Sequence, residues 1–204
     1  MIKLSELNNL QLDALKEVGN IGAGNAATAL SQLLQKKIDM EVPRVKVLPL
    51  EEIPEVMGGS EILVTGVYLK VEGKAPCNIL FIMPVESAQA LTNTLLGRSD
   101  DEVEFDEMSQ SALMEIGNIL AGSYLNSLAS FTFMSFSPSV PALAQDMAGA
   151  IISAVVFDLG EIADHCIVIE TKFFEGERDI SGHFFLLPEP DSLELILNSL
   201  GVSS

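Results

Sequence analysis

The residues with the strongest claim to chemistry form two acid–amide pairs at one spacing, Glu17 with Asn20 and Glu115 with Asn118. Each acid stands beside an amide rather than beside a second acid. Hydrolysis of a glycosidic bond needs two carboxyl groups flanking that bond, and neither cluster supplies them as a fixed feature. Asp13, four residues before Glu17, is replaced in the second cluster by Ser111. That interchange suits a helix cap or a hydrogen bond to a partner better than acid–base work. The nearby glycines, Gly19, Gly22 and Gly24, raise the possibility of a phosphate cradle built from backbone N–H groups. The context argues against it: the run continues a helical pattern, lacks a following Lys-Ser/Thr, and has Leu120 in place of the middle glycine in the second cluster. Soft-metal chemistry has little to draw on. Cys77 and Cys166 are the two cysteines, there is no C-x-x-C spacing, and the adjacent His165 and Cys166 fall in a strand pattern that points them to opposite faces.

Both pairs need a helix to position them. At 100° per residue, Asp13, Glu17, Asn20 and Gly24 fall within a sector of about 60°. Ser111, Glu115, Asn118 and Gly122 repeat the stripe. The apolar positions Leu10, Ala14, Val18 and Ile21, with Ala112, Ile116 and Ile119 in the second helix, are the expected buried side. The polar stripes are then free to meet a partner. Gly24 and Gly122 each cost about 1 kcal/mol inside a helix. A missing side chain one turn past the asparagine leaves room either for an approaching partner or for close packing of the two helices.

The two clusters belong to a longer repetition: DALKEVGNIGAGN from Asp13 returns as SALMEIGNILAGS from Ser111, an offset of 98 that also relates Pro43 to Pro141. Later, VEGKAPCNILFIMP ending at Pro84 resembles FEGERDISGHFFLLP ending at Pro188, and the helices that follow stop at Gly97 and Gly201. The offset has grown to 104, which places about six extra residues between Gln145 and Asp164. Runs of β-branched and aromatic residues from Ile62, Asn78, His165 and His183 read as strands. The expected architecture is α/β (α+β): one pseudo-twofold domain with a shared, largely antiparallel sheet on which two long and two short helices pack. Its repeats cover residues 5–97 and 106–201, joined by an acidic linker at 98–105.

Eleven basic against 29 acidic residues give a formal charge of −18, which repels nucleic acid and anionic lipid. The first ten residues lack the basic start and long apolar stretch of a secretory signal, and no apolar run approaches the ~20 residues of a membrane span. The expected location is the cytoplasm.

The pattern D/S-x3-E-x2-N-x22-P therefore occurs twice, as Asp13, Glu17, Asn20, Pro43 and as Ser111, Glu115, Asn118, Pro141. It resembles the signature of the CheC/FliY/CheX family of chemotaxis phosphatases, and the two-copy layout covers about Leu4 to Gly201. The resemblance implies an enzyme, a hydrolase that removes the phosphoryl group from the receiver aspartate of phospho-CheY. It implies catalytic roles for Asn20 and Asn118, each orienting a water, and for Glu17 and Glu115, each holding the receiver's active-site lysine. Asp13, Gly24, Pro43, Ser111, Gly122 and Pro141 are the supporting positions. No cofactor of its own is implied; Mg2+ is expected on the receiver. The receptor deamidase CheD is implied as a second partner. A non-enzymatic adaptor or flagellar-switch-like module is the alternative reading.

Overall fold

The apolar-periodic and β-branched runs of the chain become the same series of elements twice. The computed structural model describes residues 4–42, 44–99, 105–159, 165–175 and 178–202. The first series is α1 (Asn9–Leu34), β1 (Asp39–Glu41), β2 (Val45–Pro49), a single-turn α2 (Ile53–Val56), β3 (Leu63–Gly73), β4 (Cys77–Pro84) and α3 (Val85–Leu96). The second is α4 (Glu107–Thr132), β5 (Phe136–Pro138), β6 (Ala142–Met147), α5 (Ala148–Leu159), β7 (His165–Glu175), β8 (Arg178–Pro188) and α6 (Pro190–Ser199). No helix among the described residues is long and apolar enough to cross a membrane.

The long helices start and stop for local reasons that also repeat at 98. Asn8 accepts the backbone N–H of Gln11, and Gln11 accepts that of Asn8, a closed capping box at the start of α1. Asp106 accepts the Ser109 N–H at the start of α4. Arg98, at the edge of the expected linker, clamps the same carboxylate at 2.7 and 3.1 Å. Each helix runs 26 residues and ends at a left-handed residue, Gln35 (φ 51°) and Phe133 (φ 55°). Gly97 (φ 66°) stops α3, and Gly201 (φ 75°) follows α6. Residues 100–104 of the expected linker lie outside the described residues.

The eight strands form one antiparallel sheet in the order β1-β7-β8-β4-β3-β5, with β2 also on β7 and β6 also on β3. The central seam joins the repeats directly through β4 and β8, with Phe81 opposite Phe184. The outer pairings exchange strands. β1 and β2 of the first repeat pair with β7 of the second, whereas β5 and β6 of the second pair with β3 of the first. Each repeat thus completes the other's half of the sheet.

Both sheet faces are covered, which is why the central strand β4 is buried along nearly its whole length. On one face α1, α3, α4 and α6 pack over Val67, Leu69, Phe81, Ile169, Phe173 and Leu186. On the other, α2 and α5 cover Val64, Leu80, Ile82, Cys166, Val168 and Phe185. This second helical layer departs from the expected two long and two short helices. The apolar residues around Ile151 to Phe157 form most of α5, which supplies the second face, whereas its counterpart α2 has four residues. The extra residues are also spread out. β3 and β7 begin 102 apart, so four precede β7, and the remaining two enter by the strand ends at Pro84 and Pro188.

Candidate functional site

The helix surface decides which residues can act. On α1, Asp13, Glu17, Asn20 and Gly24 are all exposed; on α4, Ser111, Glu115 and Asn118 are exposed and Gly122 is half-buried. Glu and Asn stand three residues apart in each helix, about 5 to 6 Å between their Cβ atoms, close enough to engage one partner surface together. No hydrogen bond or ion pair among the described residues engages the side chains of Glu17, Asn20, Glu115 or Asn118. An acid and an amide left uncommitted on a rigid helix hold their hydrogen-bonding capacity for something that arrives.

The glycines divide into two classes. A Cβ on Gly24 or Gly122 would meet nothing within 4 Å, so neither packs the long helices together. That packing falls to Gly22, where a Cβ would come 3.0 Å from the backbone Cα of Tyr124. Gly19 and Gly117, each just before an asparagine, lie on the sheet. A Cβ on Gly19 would approach Val42 at 3.6 Å and Ile169 at 3.7 Å, and one on Gly117 would approach Val67 at 2.6 Å. The helix turn carrying each asparagine is therefore seated on a strand of the other repeat, α1 on β7 and α4 on β3.

Pro141 is half-buried between β5 and β6. Pro43 lies outside the described residues; its neighbour Val42 is buried and faces Gly19, so the chain before it passes under the Asn20 turn.

The buried side of α1 differs from the expectation. Val18 is buried, but Leu10 is 65% and Ile21 36% exposed, and Ala14 is half-buried. The residues that meet the core are Gln11, Leu15, Val18, Gly19, Gly22, Ala23, Ala26 and Leu30. On α4, Ile116 is buried while Ala112 and Ile119 are half-buried. Small residues let α1 lie close to α4 and the sheet, which turns the larger Leu10 and Ile21 outward.

Other chemistry finds less support. Cys77 and Cys166 are buried in the cores on opposite faces of the sheet, and burial pushes each thiol up to about 12. They are protonated at neutral pH and cannot share a ligand. No group of three or more His, Cys, Asp or Glu among the described residues is placed to hold a metal. A cleft of about 290 Å3 lies on the α5 face, with Gly66, Leu143, Ile151 and Val155 among its walls. At its edge Asp158 accepts from Lys70 Nζ and from the Tyr68 hydroxyl, each at 2.9 Å, and these two contacts hold its carboxyl below the usual range. Its acid is thus already neutralised, and it sits across the sheet from both stripes.

Comparison with known proteins places these features in a family. The model of the CheC-like family matches residues 10–47 and 108–144, the two segments that carry the stripes. The chain is 43% identical over 198 residues to "CheY-P phosphatase CheC" of Bacillus subtilis, covering 95% of each sequence. It is 29% identical over 129 residues, 62% of this chain and 33% of the relative, to the B. subtilis "Flagellar motor switch phosphatase FliY". The crystal structure of Thermotoga maritima FliY superposes with a TM-score of 0.79 at 19% identity, over 96% of this chain and 98% of that one, and so shares the fold.

Proposed function

Since this chain belongs to the CheC-like family, we propose that its two exposed acid–amide stripes are the working sites of a phosphatase that dephosphorylates the chemotaxis response regulator CheY-P. The observation that carries this reading is the twofold presence of Glu and Asn at one spacing, exposed and without an internal partner, on helices fixed to a common sheet.

Hydrolysis of an aspartyl phosphate proceeds through a loose transition state with attacking and leaving oxygens in line. Water bonds to phosphorus as the P–O bond to the receiver aspartate breaks, giving a free carboxylate and inorganic phosphate. Little covalent help is needed from the phosphatase. An amide that accepts a hydrogen bond from the water fixes its position, and the gain is one of orientation. Asn20 and Asn118 take this role. Glu17 and Glu115 hold the receiver's active-site lysine in a charge-assisted contact that sets the receiver's orientation. Mg2+ belongs to the receiver in this scheme, and the chain brings no cofactor. The cytoplasm, where a response regulator is phosphorylated, is the matching location, and CheD is the second partner suggested by the family pattern.

The test is the decay of phosphorylated receiver, labelled from acetyl phosphate, with and without this protein. Catalytic loss of label supports the phosphatase. Binding without faster loss would support an adaptor instead.

A further inference from the structure

Leu10 and Ile21, which the apolar pattern assigns to the core, are on the surface, and their positions repeat. Leu10 corresponds at the offset of 98 to Met108, which is 60% exposed; Ala14 corresponds to Ala112, and Ile21 to Ile119, which is half-buried and leans on the core so that only its outer edge reaches the surface. On each helix the three residues form one narrow seam, because i, i+4 and i+11 spacing keeps them within about 40° of one another. Glu17 and Glu115 border that seam, each between its second and third residues along the helix. A scattered exposed leucine needs no explanation. This seam does, because the polar residues that flank it have changed, Asp13 to Ser111 on one side and Asn25 to Ser123 on the other, while the seam stays apolar.

Helix physics does not account for it. The first turn of a helix favours acidic side chains, yet Leu10 and Met108 both occupy the second helical position. The apolar contact that often accompanies a capping box joins the residue before the cap to the fourth helical residue, here Leu7 and Leu12. Leu7 packs against the core; Leu10 does not.

We propose that Leu10, Ala14 and Ile21, and Met108, Ala112 and Ile119 in the second repeat, form an apolar docking seam that the receiver domain buries when it places its phosphoaspartate over the neighbouring Glu/Asn pair. The occupant follows from continuity: the seam and the acid–amide stripe share one helix face, so a body engaging Glu17 also covers Leu10 and Ile21. The seam supplies affinity and the stripe supplies chemistry. The proposal rests on the phosphatase reading, and the experiment separates the two.

In the full chain, Leu10→Ser with Met108→Ser removes the most exposed side chain of each seam and touches neither Glu nor Asn. Steady-state turnover of phosphorylated receiver should show KM raised about tenfold, the scale expected for losing burial of one large apolar side chain, with kcat unchanged. Leu10→Met with Met108→Leu, which exchanges the residues of the two repeats, should leave both constants as they are. Affinity for the receiver carrying beryllofluoride in place of the phosphoryl group should fall by the same factor in the serine variant. An unchanged KM and an unchanged affinity would overturn the seam. So would a fall in kcat alone, or dissolution of a dimer of this chain with receiver affinity intact. A wild-type chain that binds the beryllofluoride receiver yet fails to speed loss of phosphate would sink the phosphatase reading, and the affinity comparison would still decide the seam.

Discussion

Filling the bare turn beyond each asparagine should raise stability and abolish activity together. Gly24 and Gly122 have helical neighbours on both sides, and a Cβ added there meets nothing within 4 Å. Replacing glycine by leucine in an open helix interior gains about 0.8 kcal/mol, and the Cβ itself meets no clash. Two such changes on separate helices, Gly24→Leu and Gly122→Leu, should add to about 1.5 kcal/mol. For a chain of this size that is a rise in melting temperature of about 3–6 °C. The same side chains stand one turn from Asn20 and Asn118, where the proposed site brings a receiver close, and should block turnover. Gly22→Ala is the control. Its Cβ would lie 3.0 Å from the Tyr124 backbone, so α1 and α4 would have to part, and overpacking of about 1–3 kcal/mol exceeds the propensity gain. Thermal unfolding and phospho-receiver turnover are measured on all three proteins. A fall in melting temperature for the double leucine variant would refute the open-surface argument. Full activity at raised stability would refute the idea that the glycines admit the partner.

The two stripes should act as separate centres. Asn20→Ala or Asn118→Ala alone leaves partial turnover, and both together remove about 10²-fold while receiver binding persists; complete loss from one change would mean a single composite site. Glu17→Ala with Glu115→Ala should weaken receiver affinity more than changes at the asparagines do, and equal or tighter binding in a titration would refute the assigned contact. The acid limb of stability should depend on Asp106, whose carboxyl is held well below the usual range by Arg98 and Ser109. A depressed folded pKa contributes stability above the unfolded value, about 3.9, that is lost as pH falls toward the folded one. Wild type should therefore melt higher than Asp106→Asn at neutral pH, with the gap closing below about pH 4; a gap of constant size across melts at decreasing pH would refute this.

The repetition, the long helices and the polar stripes were legible because each depends on local periodicity alone. Spacing of i, i+4, i+7 and i+11 places Glu17, Asn20 and Gly24 on one side of any helix, whatever it packs against. Which side faces the core depends on tertiary contact. An apolar pattern gives weight to Leu10 and Ile21, but the packing surface of α1 interleaves Leu15, Val18 and Leu30 with Gly19, Gly22, Ala23 and Ala26, whose value is closeness rather than hydrophobicity. The apolar run of α5 carries no sign of which sheet face it will cover, so the second helical layer was missed. Strand exchange is equally silent, since β5 has three residues and β6 six mostly exposed ones, too little pattern to name the edge they join.

That exchange has a consequence for ancestry. A chain holding one repeat alone would have a β3 without β5 and β6, and a β1 and β2 without β7. A second copy could supply both, by trading the same strands across a twofold axis. The fold therefore carries the geometry of a strand-swapped homodimer whose subunits have been joined end to end. Joining them turns an encounter between molecules into a tethered one at an effective concentration near the millimolar range. It also removes the requirement that the halves remain identical. Gly22 against Leu120, Asp13 against Ser111, and a four-residue α2 against a twelve-residue α5 are differences no symmetric dimer could hold. One half can so acquire a duty of its own while the other keeps the first.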